Sequence, residues 1–600
     1  MSGVDALDRL VRETAARLAG ALGAAPGKKT LGEHVALFLG RGLAQTLDSL
    51  ADRLDTRAAT TRPPHPTLQG KTIGETLQTI VAQALSNPDK LARHYAQFAQ
   101  EAIAILEGRS DIAPEKGDFR FKDPLWQDSP LLRAALQLYL AVERHLHDWV
   151  SGAPLTEADR RRVLFLFDQL IAALAPSNLP LNPASLRRAQ STNGDSVISG
   201  LQHWVDDALT NRFMPRQIRR GAYTIGRDLA VTPGAVVYRN DLLELIQYAP
   251  QTPSVRLHPV LLLPPQINKY YVFDLRPQNS IVGHLLRSGL QLFTISWRNP
   301  TRSQAHWGLD TYVQAVLSAV DTVCSIAGTA SLGLISACAG GLTAMASLGY
   351  LAEQGTARVA NHSLLVTCLF PGDGSDLELF ATPELLARVQ HAMQENGVLE
   401  GDDLSKVFFW LRPTDLVWRY WINNYLLGKD PPRLDVLQWD NDPTRLPAAL
   451  HRDFVAMYEH DVFRRPGAMR VLGRPIDYRK VSVASYFVGG EDDYMMPWRG
   501  CYRACQVFRG RHEFVLSISG HVQSILRPPR VANKHYYANG SQDGTADDWL
   551  HSATRYEGSW WDHWHRWLNA MSGDLIPAPA VLGNKRHPVL MAAPGEYVFG

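Results

Sequence analysis

The segment LGLISACAGGLTAMASLGYLAEQG, residues 332–355, restricts the fold more than any other part of the chain. An apolar run ends in a cluster of very small residues, and an alanine-rich run with helical periodicity follows. This order predicts a strand that turns sharply into a helix, as in a nucleophile elbow, which usually carries serine within G-x-S-x-G. Here Cys338 is at the centre and Ser336 replaces the first glycine. A hydrolase with an altered nucleophile, a different acyl chemistry and a turn without chemistry are all compatible with this segment alone.

Strand-like and helical runs alternate on both sides of this segment. From about residue 230, short runs rich in leucine or β-branched residues end at Pro, Gly or Asn, as in GAVVYRN and HPVLLLPP. Such alternation predicts an α/β fold with parallel strands and right-handed crossovers. It fails between about residues 371 and 470, where aromatic helical stretches such as VFFWLRPTDLVWRYWINNYLL predict a cap or lid inserted over the carboxyl edge of the sheet.

The first 220 residues have a different pattern, with apolar residues at helical spacing in runs such as LLRAALQLYLAVERHLHDWV. We therefore predict a mostly helical N-terminal domain in residues 1–220. The proline-rich break TTRPPHPT indicates that residues 1–70 of this domain are loosely attached. The α/β catalytic domain is expected in residues 221–600, with the cap in about 371–470.

An acid and a histidine follow two later strand-like runs, in the order that an α/β-hydrolase requires. Cys338 comes first, Asp493 follows VASYFVGG, and His521 follows EFVLSISG. Because the carboxyl ends of parallel strands lie at one edge of a sheet, we expect the three side chains to meet there. The sequence therefore predicts a Cys338–Asp493–His521 triad.

Each triad residue has an expected role. His521 would take the thiol proton of Cys338, since the thiolate is the reactive form and is scarce at neutral pH. Asp493 would orient the imidazole and stabilise its charged form. The backbone N–H of Ala339 would donate to the oxyanion, and the loop PPQIN, residues 264–268, is expected to supply a second donor, for which we take Ile267.

Three other residues compete for two of these roles. Asp492 directly precedes Asp493 in GGEDDYMMPW, and either carboxylate fits the position after the strand. His512 and His535 are alternative bases, although neither follows a strand in a Gly-His turn.

Composition restricts the partners and the compartment. With 61 basic and 59 acidic residues the formal net charge is only +2, which gives no electrostatic basis for nucleic-acid binding. No apolar run reaches the roughly 18–20 residues of a transmembrane helix. Five cysteines, few and odd in number, indicate the reducing cytoplasm. Cys324 and Cys368 are expected to be structural, and the pair in CYRACQ is expected to be buried thiols. We expect no metal and no resident cofactor.

Long stretches of the chain are similar to one known family. Between about residue 120 and residue 600 they include FKDPLWQDSPLL, TPGAVVYRNDLLELIQY, PPQINKYYVFDL, NNYLLGKDPPRLDVLQWDNDPTRLP, SGHVQSILRPP and GSWWDHWHRWL. These stretches resemble the polyhydroxyalkanoate synthases, most closely the class II branch, whereas residues 1–110 match poorly. The resemblance implies an α/β-hydrolase fold. It also puts the family's catalytic cysteine, acid and histidine on Cys338, Asp493 and His521, and so favours Asp493 over Asp492.

Three positions depart from the family's pattern. The motif around the nucleophile usually begins with glycine, so the side chain of Ser336 must fit where strand and helix pack closely. Tyr494 replaces the histidine that usually follows the acid. Phe370 replaces an acid that often ends the strand after the elbow. None of these changes removes a triad residue.

The resemblance implies an acyltransferase that joins (R)-3-hydroxyacyl-CoA units into a polyester on Cys338 and releases coenzyme A, which is part of the substrate rather than a cofactor. It also implies medium-chain monomers, a homodimer, and a location on cytoplasmic polyester granules, where phasins are further partners. Two alternatives stay open: a cysteine thioesterase or depolymerase that uses water as acceptor, and a granule-associated scaffold weakened by Ser336. Trp418, Trp421 and Trp439 of the cap would either line an apolar lid or pack as ordinary core.

Overall fold

The computed structural model describes residues 88–600 apart from 371, 373, 381–382 and 530–533. These residues form two compact units. The described residues of the first unit are 88–113 and 137–168, and those of the second are 114–136 and 169–600 with the gaps just given. The segment 1–70, predicted to be loosely attached, lies outside the described residues.

The second unit includes chain that precedes the boundary predicted at residues 220 and 221. Trp421 Nε1 donates to the carbonyl of Asn178 at 3.1 Å, and Asn424 Nδ2 donates to the carbonyl of Arg216 at 2.7 Å. These bonds attach residues 178–216 to the middle of the catalytic region. Local periodicity does not reveal them, because the partners are more than 200 positions apart.

The α-helices of the described residues are α1 Pro88–Leu106, α2 Leu125–Asp128, α3 Pro130–Ser151, α4 Glu157–Leu174, α5 Pro183–Ser191, α6 Asp195–Thr210, α7 Ile281–Arg287, α8 Leu309–Ala327, α9 Ala339–Glu353, α10 Pro383–Asn396, α11 Gly401–Leu411, α12 Asp435–Asp440, α13 Ala448–Glu459, α14 Trp498–Cys505, α15 His521–Ile525, α16 Ala546–Ser552 and α17 Trp560–Met571. No single helix among the described residues is long and apolar enough to cross a bilayer. One bent pair, Glu157–Leu174 with Pro176–Ser191, passes by length and composition alone.

The strands of the described residues are β1 Gly234–Arg239, β2 Leu243–Tyr248, β3 Ser254–Arg256, β4 Val260–Leu263, β5 Leu292–Trp297, β6 Leu332–Ala337, β7 Val359–Leu365, β8 Val398–Leu399, β9 Leu446–Pro447, β10 Arg470–Val471, β11 Arg474–Pro475, β12 Ala484–Gly490, β13 His512–Ser517, β14 His535–Ala538, β15 Thr554–Glu557, β16 Leu575–Pro577 and β17 Met591–Ala592. Three two-stranded sheets are formed by β3 with β16, β8 with β9, and β10 with β11.

The remaining strands form one sheet in the order β15-β14-β13-β12-β7-β6-β4-β5-β2-β1-β17. Its centre, from β13 to β5, is parallel, and the strands on either side are antiparallel. The predicted α/β architecture with a parallel sheet is confirmed. The carboxyl ends of β6, β12 and β13 therefore lie along one edge, where the loops bearing the predicted triad begin.

Both faces of the parallel strands are buried. Along β4, Leu261 packs into a core that also contains Val316 of α8 and Met345 of α9. Its neighbour Leu262 packs into a second core on the opposite face, together with Trp564 of α17. Successive side chains of a strand point to opposite faces, so a strand covered on both sides needs a continuous apolar run such as VLLL.

The chain between β7 and β12 is mainly helical. It holds α10 to α13 and two π-helical turns, Thr414–Trp418 and Trp421–Leu426. The aromatic stretches that predicted an inserted cap between about residues 371 and 470 lie in this segment, which we call the cap.

Candidate active site

Cys338 links β6 to α9 in a strained conformation. Its φ of 50° and ψ of −129° lie in a region that residues with a side chain rarely adopt, at a cost of about 1–3 kcal/mol. The backbone N–H of Cys338 donates to the carbonyl of Leu365 at 3.1 Å. Its own carbonyl accepts hydrogen bonds from the Gly341 N–H at 2.8 Å and from Thr367 Oγ1 at 3.1 Å. The predicted strand-to-helix turn is therefore formed, and neighbouring residues hold it in place.

The small residues after Cys338 are required by close packing. A Cβ atom at Gly340 would lie 2.6 Å from the carbonyl oxygen of Pro264, and one at Gly341 would lie 2.5 Å from Thr367 Oγ1. Both distances are shorter than carbon–oxygen contacts allow. The sequence ACAGG is thus explained by the close approach of α9 to the loops after β4 and β7.

The predicted acid and base meet on the loops after β12 and β13. His521 Nδ1 lies 2.7 Å from Asp493 Oδ2. The other oxygen, Asp493 Oδ1, accepts the backbone N–H groups of Met495 at 3.0 Å and Met496 at 2.8 Å. The side chain of Asp493 is fully buried. A carboxylate held in this way fixes the orientation of the imidazole, and it leaves Nε2 to face the nucleophile.

The charges around His521 favour its protonated form. Burial alone lowers the pKa of this imidazole, because a buried group is less stable when charged. The charges of Asp493 and Cys338, and hydrogen bonds to both side chains, outweigh burial and hold the pKa of His521 well above its ordinary value. The arrangement therefore favours the imidazolium form of His521, and an imidazolium beside a cysteine is the partner that a thiolate nucleophile needs.

The loop chosen for the second oxyanion donor is attached to both α9 and the cap. Gln266 Nε2 donates to Thr343 Oγ1 at 2.9 Å. The Thr444 N–H donates to the Ile267 carbonyl at 3.0 Å, and Thr444 Oγ1 donates to the Gln266 carbonyl at 2.6 Å. Ile267 and Ala339 both line the cavity that contains Cys338. The two residues chosen as oxyanion donors therefore line the same cavity as the nucleophile.

A cavity of about 1220 Å³ opens at these residues. Cys338, Asp493 and His521 lie in its wall. The cap supplies most of the remaining lining, which is largely apolar and includes Leu404, Val407, Phe408, Phe409, Leu437 and Phe454. A cavity of this size and composition suits an acyl chain and keeps water away from it.

The three cap tryptophans have different positions. Trp439 lines the cavity, and its Nε1 donates to the carbonyl of Lys269 at 2.7 Å. Trp418 and Trp421 pack edge to face with ring centroids 5.8 Å apart, and Trp421 also donates to Asn178 as described above. Only Trp439 of the three lines the cavity. The other two form ordinary packing contacts within the second unit.

The competing residues do not join the triad. Asp492 is exposed at the cavity wall, and its backbone N–H donates to the carbonyl of Ser519. His512 Nδ1 lies 3.2 Å from the carbonyl of Gly510 at the start of β13, which is the opposite end of that strand from His521. His535 contacts Arg555 at 3.2 Å.

Ser336 is accommodated by a partner on the next strand. Its Oγ lies 2.8 Å from Nε2 of His362 in β7, and both residues are fully buried. Burial lowers the pKa of His362 to about 3, so the imidazole is neutral at physiological pH. His362 Nδ1 has no hydrogen-bond partner among the described residues. The serine is therefore half of a buried neutral pair directly beneath the elbow.

At the other two positions that differ from the family's pattern, Tyr494 and Phe370, the side chain packs against an arginine. The guanidinium of Arg412, in the cap, lies 4.5 Å from the ring centroid of Tyr494. The buried ring of Phe370 packs edge to face on Phe463, with the guanidinium of Arg464 4.1 Å from its centroid. Both aromatic rings thus make cation–π contacts where the family usually has a histidine and an acid.

Sequence reasoning missed His362 and Asp440. Asp440 ends α12 and lines the cavity with Cys338 and His521. Asp440 lies in the stretch NNYLLGKDPPRLDVLQWDNDPTRLP, and His362 lies in NHSLLVTCLF, the strand-like run that follows the elbow. The signal that distinguishes them is spatial, since it depends on the register of β6 against β7 and on the fold of the cap.

One group of side chains among the described residues has the spacing of metal ligands. His284, Asp562 and His565 have ligand atoms within 4.8 Å of one another, and the imidazoles approach at 3.3 Å. These residues are on α7 and α17, and none of them lines the cavity.

Comparison with known proteins identifies the family. Residues 117–285 match the model described as the N-terminus of poly-beta-hydroxybutyrate polymerase (PhaC), and residues 259–528 match the alpha/beta hydrolase fold. The poly(3-hydroxyalkanoate) polymerase 1 of Ectopseudomonas oleovorans is 43% identical over 531 residues, which cover 88% of this chain and 95% of that protein. The chain belongs to the poly(3-hydroxyalkanoate) polymerase family. Polymerase 2 of the same organism is 41% identical, with coverage of 89% and 95%.

Family membership confirms the predicted enzyme class, an acyltransferase, and the predicted α/β-hydrolase fold. Among solved structures, a monoglyceride lipase variant from Saccharomyces cerevisiae is 12% identical, covers 59% of this chain and 99% of its own, and has a TM-score of 0.35.

Proposed function

We propose that this member of the polymerase family joins (R)-3-hydroxyacyl-CoA thioesters into a polyhydroxyalkanoate and releases coenzyme A. The observation that supports it most is the cysteine at the strained elbow, which shares a cavity with His521 and Asp493, in a chain 43% identical to a named poly(3-hydroxyalkanoate) polymerase. No resident cofactor or metal takes part in the proposed reaction.

The first step transfers the acyl group to Cys338. His521 takes the thiol proton, and the thiolate attacks the thioester carbonyl of the substrate. The N–H groups of Ala339 and Ile267 donate to the oxyanion that forms. The carbon–sulfur bond to coenzyme A then breaks, and His521 returns the proton to the departing thiolate. The products are free coenzyme A and an acyl thioester on Cys338.

The second step elongates the polymer. The 3-hydroxyl of the next acyl unit gives its proton to His521, and its oxygen attacks the thioester on Cys338. An ester bond forms, the bond to Cys338 breaks, and the thiol is regenerated with the proton from His521. Cysteine suits this task because a thioester intermediate stays activated, whereas a serine ester would leave little driving force to form another ester.

The apolar cavity favours polymerisation over hydrolysis. Water competes with the hydroxyl for the acyl group, and the cap lines most of the space around Cys338 with apolar side chains. We therefore rank a thioesterase or depolymerase second. A scaffold weakened by Ser336 is third, since His362 provides a buried partner for that serine.

The further parts of the proposal rest on the resemblance to the family. We propose a class II-like preference for medium-chain monomers, a homodimer, and a position on the surface of cytoplasmic polyester granules, with phasins as further partners. Granule binding by the full chain and by a variant that lacks residues 1–110 tests whether the N-terminal part makes the attachment.

One assay separates the three functions. Purified full-length protein is supplied with (R)-3-hydroxyoctanoyl-CoA, and coenzyme A and acyl products are quantified by chromatography. Polymer with coenzyme A release supports the polymerase, free 3-hydroxy acid supports the hydrolase, and no release supports the scaffold. Cys338→Ala should abolish release, whereas Cys324→Ala, a change at a buried cysteine in α8, should retain it. Polymer formation by Cys338→Ala would overturn the mechanism.

A further inference from the structure

Asp440 is a cavity carboxylate that the proposed steps leave without a role. It ends α12, is half-buried, and lines the cavity that contains Cys338 and His521. None of the hydrogen bonds or ion pairs of the described residues involves its side chain. Two nearby acids of the same stretch do have cationic partners. Asp435 accepts a hydrogen bond from Arg276 Nε at 3.0 Å, and Asp442 forms an ion pair with Lys269 Nζ at 2.8 Å.

Several other polar side chains of the cavity have partners, and the acids Glu491 and Asp492 in its wall are exposed. Thr367 Oγ1 donates to the Cys338 carbonyl at 3.1 Å, and the Tyr458 hydroxyl donates to the Cys368 carbonyl at 2.9 Å. Asp403 pairs with Lys406 Nζ at 2.9 Å. Asp440 is thus a half-buried carboxylate with no donor from the described residues, and it lies beside a largely apolar space where the hydroxyl of a ligand would meet an acceptor.

The charged and titratable groups that interact with Asp440 are His521, Tyr494 and Tyr420. Burial raises the pKa of Asp440 to about 6, against the opposing attraction of His521. The carboxyl is therefore mostly ionised at neutral pH, when it accepts hydrogen bonds and donates none. Asp440 also lines the same cavity wall as His521 and Cys338, which puts the carboxyl in the space that the reacting acyl group enters.

We propose that Asp440 accepts a hydrogen bond from the 3-hydroxyl group of the acyl chain that is transferred to Cys338. The inference rests on the proposed function and specifies how that site recognises its substrate. The 3-hydroxyl is the one hydroxyl of a simple 3-hydroxyacyl group, and it is attached two carbons from the reacting carbonyl. Its acceptor must therefore be near the catalytic residues, while the rest of the chain occupies apolar surface.

A site built in this way discriminates against acyl thioesters without the hydroxyl. When such a substrate binds, Asp440 is left desolvated and without a donor, and the transition state loses that stabilisation. A hydrogen bond to a charged acceptor of this kind corresponds to a factor of about 10–100 in kcat/KM.

The test compares two substrates in the same full-length enzyme. (R)-3-hydroxyoctanoyl-CoA and octanoyl-CoA are each mixed with excess enzyme, and the rate of coenzyme A release in the first turnover is measured. The variants are Asp440→Leu and Asp440→Asn, with Asp403→Asn as a matched control at an exposed cavity acid. The ratio of the two rates is independent of the fraction of folded enzyme, so a loss of folded protein does not obscure the result.

The expected result is that Asp440→Leu lowers the preference for the hydroxylated substrate by about 10- to 100-fold. Asp440→Asn should lower it less, because the amide oxygen still accepts, and Asp403→Asn should leave it unchanged. An unchanged ratio in Asp440→Leu, with rates for both substrates equally slow or both normal, would overturn the inference and leave the proposed function standing. If the wild-type enzyme releases no coenzyme A from the hydroxylated substrate, the proposed function itself fails, and the inference fails with it.

Discussion

The buried pair of Ser336 and His362 gives a prediction about stability in acid. The imidazole is fully buried, and its pKa is lowered to about 3 in the folded protein, whereas an unfolded histidine titrates near 6.5. Between these two pH values the unfolded chain binds the proton and the folded chain does not. The neutral imidazole therefore costs folded-state stability as the pH falls below about 6.5, and the loss continues down to about 3.

The magnitude follows from the two pKa values. Each pH unit between them changes the free energy of unfolding by about 1.4 kcal/mol, so the loss at pH 5 is about 2 kcal/mol relative to neutral pH. His362→Gln removes this titration and keeps a side-chain amide where Nε2 now meets Ser336 Oγ. On going from pH 7.5 to pH 5, the variant should lose about 2 kcal/mol less of its free energy of unfolding than the wild type does. For a unit of this size, that difference corresponds to about 2 °C in the midpoint of thermal unfolding.

The assay is thermal unfolding of the full chain at pH 7.5, 6 and 5, for the wild type, His362→Gln and the control His551→Gln at an exposed histidine. Other titrating groups are shared by the three proteins, so their contributions cancel in the differences. His362→Gln should lose less stability in acid than the other two. Equal acid dependence of all three proteins would refute the assignment of His362 as a buried neutral group.

Two further predictions concern the catalytic loops. Asp493→Asn should lower kcat for coenzyme A release by about 10²- to 10⁴-fold, because the amide no longer stabilises protonated His521, while the matched change Asp492→Asn should retain activity; comparable losses in both would remove the distinction between the two acids. Gly340→Ala would put a Cβ 2.6 Å from the carbonyl of Pro264, so we expect it to lower the thermal midpoint and the activity together, and a variant with wild-type midpoint and rate would show that α9 does not pack so closely.

Much of the fold was predictable because its signals are local. The continuous apolar runs of β4 and β6 indicated strands buried on both faces, and the small residues around Cys338 indicated the turn. The order of cysteine, acid and histidine along the chain located the three loops at the sheet edge, since parallel strands bring their carboxyl ends together, whereas the choice of Asp493 over Asp492 needed the resemblance to the family.

The features that sequence reasoning missed depend on contacts between distant residues. Ser336 looked anomalous until the register of β6 against β7, which pairs Ser336 with Leu364, brought the side chain of His362 diagonally across to its hydroxyl. The attachment of residues 178–216 to the second unit involves bonds such as that between Trp421 and Asn178, and Trp421 does not line the cavity. Asp440 could be recognised only from the fold of the cap, because the local sequence pattern does not show which acids of a helix form hydrogen bonds or ion pairs.

The central claim is that the acyl group is carried on Cys338. The most direct measurement is mass spectrometry of the wild-type chain quenched in acid during the first turnover with (R)-3-hydroxyoctanoyl-CoA, followed by digestion and peptide mapping. We predict a 3-hydroxyacyl adduct on the peptide that contains Cys338, lost on treatment with hydroxylamine as a thioester is, and no adduct in Cys338→Ala. An adduct on a different residue, or coenzyme A release at the wild-type rate by Cys338→Ala, would contradict the account.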